Sequence, residues 1–157
     1  MEGIREKFNG ERREIAMVRF LDANIFVYAY YKPKRKLKEK EKKMKEEAKN
    51  IVNRIMEGER IVTSVTHLSE MANILKHALS LTDLNDIIFT LLSMENVEIV
   101  DVTKSDYLHA VMLGKELMLD PNDALAVIIM ERKGINEIYS FDSDFDKVEW
   151  IKRLPEL

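Results

Sequence analysis

Apolar positions along the chain fall into short continuous runs that alternate with helical stripes. Met17 to Leu21 is a brief apolar run closed by Asp22 and reads as a buried strand. A short helical turn is expected to follow over Ile25 to Tyr30. From Lys36 to Glu57 there is neither proline nor glycine, and Leu37, Met44, Ala48, Ile51, Val52 and Ile55 recur at helical spacing, denser toward the end. That pattern predicts a helix whose first half stands in solvent and which stops at Gly58. Arg60 to Ser64 reads as a second strand. Leu68, Met71, Ala72, Leu75 and Leu79 mark one face of a helix, Leu84 to Met94 another helix, and Val97 to Val100 a third strand. Thr103 followed by Asp106 has the spacing of a capping arrangement for a helix running to about Leu117. Pro121 opens a further helix, and because Ala124 to Met130 is apolar nearly all round, that helix is expected to be deeply buried. Glu137 to Phe141 reads as the fourth strand, with Val148 to Ile151 a candidate fifth.

Strands alternating with helical crossovers predict parallel pairing and right-handed connections. The expected fold class is therefore α/β, a helix-covered central parallel β-sheet of four to five strands in three layers. At 157 residues the chain has room for one core. Because Met17 stands directly before the first strand, it is a candidate start of translation. This divides the chain into an extension, 1–16, and one domain, 17–157.

Composition narrows the picture further. With 46% hydrophobic and 34% charged residues and a net charge of -3, the chain has a soluble globular composition, and net charge alone names no partner. The absence of cysteine excludes disulfides, thiol nucleophiles and Cys-based zinc sites, and makes a cytoplasmic location the default expectation. The apolar runs at 87–92 and 124–130 fall far short of the ~20 residues of a membrane helix, so no membrane association is expected.

In open parallel sheets ligands bind outside the carboxyl ends of the strands. The residues expected there are acidic. Asp22 follows the first strand and Asp142 the fourth, Glu70 lies early in the helix after the second strand, and Asp123 sits in the first turn of the buried helix. Taken singly, each has an ordinary explanation as a loop residue, a solvated helix position or a favourable charge at a helix amino end. Converging on one edge, they would repel one another unless a cation sat between them. Hard oxygen ligands suit Mg²⁺ or Mn²⁺, and such an ion favours phosphodiester hydrolysis.

The run Phe20 to Val27, with Asp22 ending a strand and Asn24 two places on, resembles the first motif of the PIN-domain family. Ser64 to Met71 with Glu70, Asp123 to Ala126, and Ser140 to Phe145 resemble the remaining motifs in order. The resemblance covers Met17 to about Leu154. It implies that Asp22, Glu70, Asp123 and Asp142 are catalytic, metal-site acids, that Asn24 and Ser140 hold the first and last of them by hydrogen bonds, and that Asp144 is an accessory acid. It also implies a Mg²⁺- or Mn²⁺-dependent ribonuclease acting on RNA, similar to stand-alone VapC toxins, with an antitoxin protein and a homodimer as expected partners. An RNA-processing nuclease and a non-catalytic RNA-binding scaffold are alternatives. A phosphatase of the haloacid-dehalogenase kind wants a second aspartate where this chain has Asn24, and a phospho-receiver wants a lysine where it has Asp142 to Phe145.

Other features carry two readings each. The basic run from Lys32 to Lys45 could grip RNA phosphates, but interleaved Glu39, Glu41, Glu46 and Glu47 favour reading it as a solvated face. Tyr28, Tyr30 and Tyr31 suit base stacking or packing. His67, His77 and His109 lack the paired spacing of a zinc helix and read as structural or exposed. Met71, Met94, Met112, Met118 and Met130 read as core fillers. Asp120 is an extra acid beside Asp123, either a second group of the site or a loop cap.

Overall fold

The computed structural model describes residues 18–157; the proposed extension and the candidate start at Met17 lie outside the described residues. Five strands are hydrogen-bonded into one parallel sheet: β1 (Arg19–Leu21), β2 (Ile61–Ser64), β3 (Val97–Val100), β4 (Glu137–Tyr139) and β5 (Lys152–Leu154). The order across the sheet is β3-β2-β1-β4-β5. Six helices accompany them: α1 (Ala23–Tyr30), α2 (Glu39–Met56), α3 (Val65–Leu75), α4 (Leu81–Ser93), α5 (Lys104–Leu117) and α6 (Pro121–Lys133).

Because side chains alternate across a strand, neighbouring residues feed two separate cores. Leu21, Ile61 and Tyr139 point to one face and pack with α1, α2, α3 and α4. Phe20, Val62 and Ile138 point to the other and pack with α5 and α6. The helix that the sequence marks as apolar all round, α6, buries Asp123 to Val127, Ile129 and Met130.

Local chemistry fixes the helix ends. Thr103 and Asp106 form a complete capping box at the start of α5. Pro121 stands in the first turn of α6, and Gly134 ends that helix with φ +68°, where a side chain would be strained. The carboxyl end of α1 is closed from outside: Lys45 of α2 donates to the carbonyls of Tyr28, Ala29 and Tyr31 at 3.1, 3.3 and 2.8 Å. Nothing from Glu39 to Glu47 is buried, so the first half of α2 does stand in solvent.

Several boundaries differ from the sequence expectation. Helix α1 is a full two turns, α2 starts at Glu39 and α3 ends at Leu75. The fifth strand is Lys152–Leu154, not Val148 to Ile151: Val148 and Ile151 are buried beneath the sheet as core, and the residues that pair are a polar edge strand. A 3₁₀ turn at Ser143–Lys147, not expected, connects β4 to them. Met112 and Met118 are exposed instead of filling the core.

Three members of the basic run are engaged with nearby acids and carbonyls. Arg35 holds Glu41 through two bonds and Lys42 pairs with Glu39, while Lys45 caps α1. Tyr28 packs on Phe141 at 4.9 Å and Tyr30 stacks on Phe26, whereas Tyr31 is exposed.

Candidate metal centre

From β1 the chain winds outward through β2 and β3, then crosses back to place β4 on the other side of β1. The carboxyl ends of β1 and β4 therefore flank the switch point of the sheet, where a crevice opens. Asp22 closes β1, and Ser140, Phe141 and Asp142 follow β4.

Ser140 ties the two strand ends together. Its hydroxyl donates to Asp22 Oδ2 at 2.6 Å and accepts from the Asp142 amide at 3.0 Å and from Asn24 Nδ2 at 3.3 Å. Asn24 Oδ1 accepts from the Phe141 amide at 3.3 Å, and Asp22 Oδ1 from the Ala23 amide at 2.8 Å. Asn24 and Ser140 thus stand between Asp22 and Asp142. Asp22 is buried, and that burial is the main reason its carboxyl is pushed up to about 6, against its bonds to Ser140 and Ala23 and with help from Asp142 and Asp120.

Asp123 enters from α6. Asp120 caps that helix, accepting from the Asp123 amide at 2.8 Å, which settles its role as a cap whose charge also faces the site. Asp123 Oδ2 is buried and has no hydrogen-bond partner. Burial first, then the charges of Asp22, Asp120 and Asp142, raise the Asp123 carboxyl well above its ordinary range. One oxygen each from Asp123, Asp142 and Asp144 lie within 4.8 Å of one another. Asp144 arrives through the 3₁₀ turn, its amide donating to Asp142 Oδ1 at 2.9 Å, and its carboxylate is partly satisfied by Lys147 at 3.2 Å.

Glu70 lies on α3 and is half-buried, outside that tightest group but within reach of its charge. Burial and then Asp22 push its carboxyl up, while the Asn122 side chain favours the charged form. Ser64 caps α3 by accepting from the His67 amide at 3.1 Å. The His67 ring is buried between Ser64 Oγ at 2.6 Å and the Asn122 carbonyl at 2.9 Å, with its edge on Phe20. A carbonyl only accepts, so Nε2 carries the proton and Nδ1 accepts from the Ser64 hydroxyl, giving a neutral ring. Burial pushes the imidazole pKa down in the same sense.

The donor set fits a hard divalent cation. Octahedral Mg²⁺ with bonds of about 2.1 Å spaces its ligand oxygens about 3.0 Å apart when adjacent and about 4.2 Å when opposite. A cluster spanning 4.8 Å needs only a small contraction to meet that geometry. The unpaired Oδ2 of Asp123 is the atom such an ion would satisfy.

The sequence reading set His67 aside and did not reach Asn122 or Tyr107. Asn122 Oδ1 accepts from the Tyr107 hydroxyl at 2.8 Å. The available signal was a serine cap at Ser64 with a polar residue three places on, and a polar residue directly before the acid of α6.

Fold and site together define a parallel α/β domain with a cluster of carboxylates at its switch point. A family model described as the PIN domain matches residues 19–151, and the chain belongs to that family. No curated protein sequence matches it. Among solved structures, it is similar to the Mycobacterium tuberculosis VapC20 toxin, described as cleaving the sarcin-ricin loop, with 19% identity, TM-score 0.64, 85% of this chain and 96% of that one covered. It is similar also to a chain of VapBC2 from Rickettsia felis, solved bound to promoter DNA, with 18% identity, TM-score 0.58 and coverage of 87% and 97%. A toxin-antitoxin complex from Klebsiella pneumoniae gives 15% identity, TM-score 0.59 and coverage of 88% and 99%.

Proposed function

We propose that this PIN-domain protein is a Mg²⁺- or Mn²⁺-dependent endoribonuclease of the VapC toxin kind, with RNA as substrate. The observation that carries the reading is the buried, unpaired Oδ2 of Asp123, an acid that clusters with Asp142 and Asp144. A polypeptide satisfies its buried oxygens almost everywhere, and an orphan among further acids is best accounted for by a cation.

Asp123 and Asp142 would hold the ion, with Asp144 and Asp22 completing the ring of charge and Glu70 across the crevice. When bound, a divalent cation lowers the pKa of water and offsets negative charge on a phosphodiester. The chain's part is positional. Ser140 and Asn24 keep Asp22 and Asp142 aligned, and Asp120 fixes the first turn of α6. Asn24 also argues against the phosphatase reading, since the position that would need an aspartate donor is spent bridging Ser140 and the Phe141 amide.

The relatives solved as toxin-antitoxin assemblies support an antitoxin protein as partner. A homodimer and a cytoplasmic location complete the proposal. The test is RNA cleavage by pure protein with Mg²⁺, with Mn²⁺ and with chelator, beside Asp22→Asn and Asp142→Asn. Metal-dependent cleavage lost in both variants is the expected result, and cleavage that survives chelation or either substitution would overturn it.

A further inference from the structure

The acids of the centre come from two layers that share no core. Helix α3, which carries Glu70, packs with the Leu21 face of the sheet, whereas α6, which carries Asp123, packs with the Phe20 face. The two layers touch where the His67 ring meets Phe20 edge-on, and Asn122 is placed to add a polar link between them. Its backbone carbonyl accepts from His67 Nε2 of α3 at 2.9 Å. Its side-chain Oδ1 accepts from the Tyr107 hydroxyl of α5 at 2.8 Å. The Asn122 side chain also favours the charged form of Glu70 on α3 by hydrogen bonding. The far side of the link is anchored in turn, since His67 Nδ1 is bonded to Ser64 Oγ at the end of β2.

We propose that Asn122 is a positioning residue of the metal centre, joining the α3 and α6 layers so that Glu70 and Asp123 face a common ion, and that Tyr107 acts through it by fixing the orientation of its carboxamide. This rests on the metal-dependent reading above and deepens it. Groups that orient metal ligands without touching the ion typically change affinity 10- to 100-fold when removed. Tyr107 also stands over the open groove beside Glu70, with Val65 and Ile74 opposite, so a rival role for its ring is stacking on a base.

The two roles separate on the hydroxyl. The experiment is calorimetric titration of the full chain with Mn²⁺ alone, for wild type, Tyr107→Phe, Asn122→Ala and the double variant, together with kcat and KM on RNA and melting of the chelated proteins. Asn122→Ala is expected to raise the Mn²⁺ Kd by about 10-fold or more, and Tyr107→Phe by a smaller factor. The double variant should bind no worse than Asn122→Ala, because Tyr107 has nothing left to act through. In the single variants kcat falls while KM for RNA holds. Tyr107→Phe keeps the ring and carries the test if Asn122→Ala folds poorly. A Tyr107→Phe Kd within twofold of wild type, or losses that add in the double variant, would overturn the proposal. So would a silent Tyr107→Phe beside a Tyr107→Ala that raises KM, which would assign the ring to base stacking. Wild-type protein that binds no Mn²⁺ overturns the metal reading and this proposal with it, whereas binding indifferent to both variants overturns this proposal alone.

Discussion

Replacing Asp123 by Asn removes one charge and keeps the shape, so it isolates what the unpaired oxygen costs. At 4.8 Å or less from Asp142 and Asp144, a charged Asp123 is repelled by about 3.5 kcal/mol per neighbour at an effective dielectric of 20. A buried polar atom without a partner adds about 1–3 kcal/mol. The metal-free protein escapes part of this by taking up a proton, which is the meaning of the raised Asp123 carboxyl. Uptake itself costs stability at neutral pH, because the unfolded chain holds that group ionised. An Asn amide needs no proton and can donate to Asp142, so Asp123→Asn should stabilise the chelated protein at pH 7 by about 3 kcal/mol, or roughly 10 °C in Tm.

The sign with pH follows from the direction of the shift. A raised folded-state carboxyl costs nothing below its ordinary value near 4 and progressively more as pH rises above it, so the advantage of the variant should vanish near pH 4. Metal narrows that gap. Mn²⁺ at about 100 times its Kd should add about 2.7 kcal/mol to wild type and much less to the variant. Melting followed by circular dichroism, with chelator and with Mn²⁺ at pH 4 and pH 7, reads all four values. A variant that melts below wild type in chelator at pH 7, or gains as much from Mn²⁺, would refute the reasoning.

Three further expectations follow from the same geometry. Asp22, pushed up to about 6, should by itself cost the chelated protein roughly 3 kcal/mol as pH rises from about 4 to about 6 and nothing more beyond, on top of the continuing cost of Asp123, and saturating Mn²⁺ should abolish that loss; a denaturant series across pH on wild type and Asp22→Asn separates the two. Ser140→Ala deletes the hydroxyl shared by Asp22, Asp142 and Asn24 and should cost about 1–2 kcal/mol in denaturant titration while weakening Mn²⁺ binding. At the turn into α6, Gly114→Ala would bring a Cβ to 2.6 Å from the Leu119 carbonyl oxygen and should lower Tm, whereas Met118→Gly relieves a φ of 57° and should raise stability by about 1 kcal/mol.

What the sequence made legible is what periodicity and caps encode. The first four strands and the helices between them, the box at Thr103 and Asp106, the proline start of α6 and its burial all follow from spacing that a helix or strand reads locally. The four acids were legible because each stands beside a strand end or helix start that the same patterns locate. The fifth strand was not, because Lys152, Arg153 and Leu154 sit at an edge and carry no apolar alternation, while the apolar Val148 and Ile151 nearby serve the core. The closeness of Asp144 to Asp123 depends on a 3₁₀ turn with no periodic signal. Asn122, Tyr107 and His67 matter through contacts between elements far apart in the chain, and no local rule reports those.

The distribution of partners within the acidic cluster explains why folding and ion binding should be coupled here. Asp144 is half exposed and is met by Lys147, so water and a cation already share its charge. Both oxygens of Asp22 have donors in Ser140 and Ala23. The acid left without a partner is Asp123, the one most removed from solvent in the tight group, and nothing short of a proton or a cation can reach it. Supplying a fixed lysine there would stabilise the empty protein but block the ion, since an ammonium and a divalent cation would compete for one oxygen. The cluster is therefore graded, satisfied at its rim and frustrated at its centre, and the binding energy of the proposed ion would be concentrated where the chain itself offers none. It follows that substitutions at the rim should trade little stability for little affinity, whereas those at Asp123 should exchange the two nearly in full.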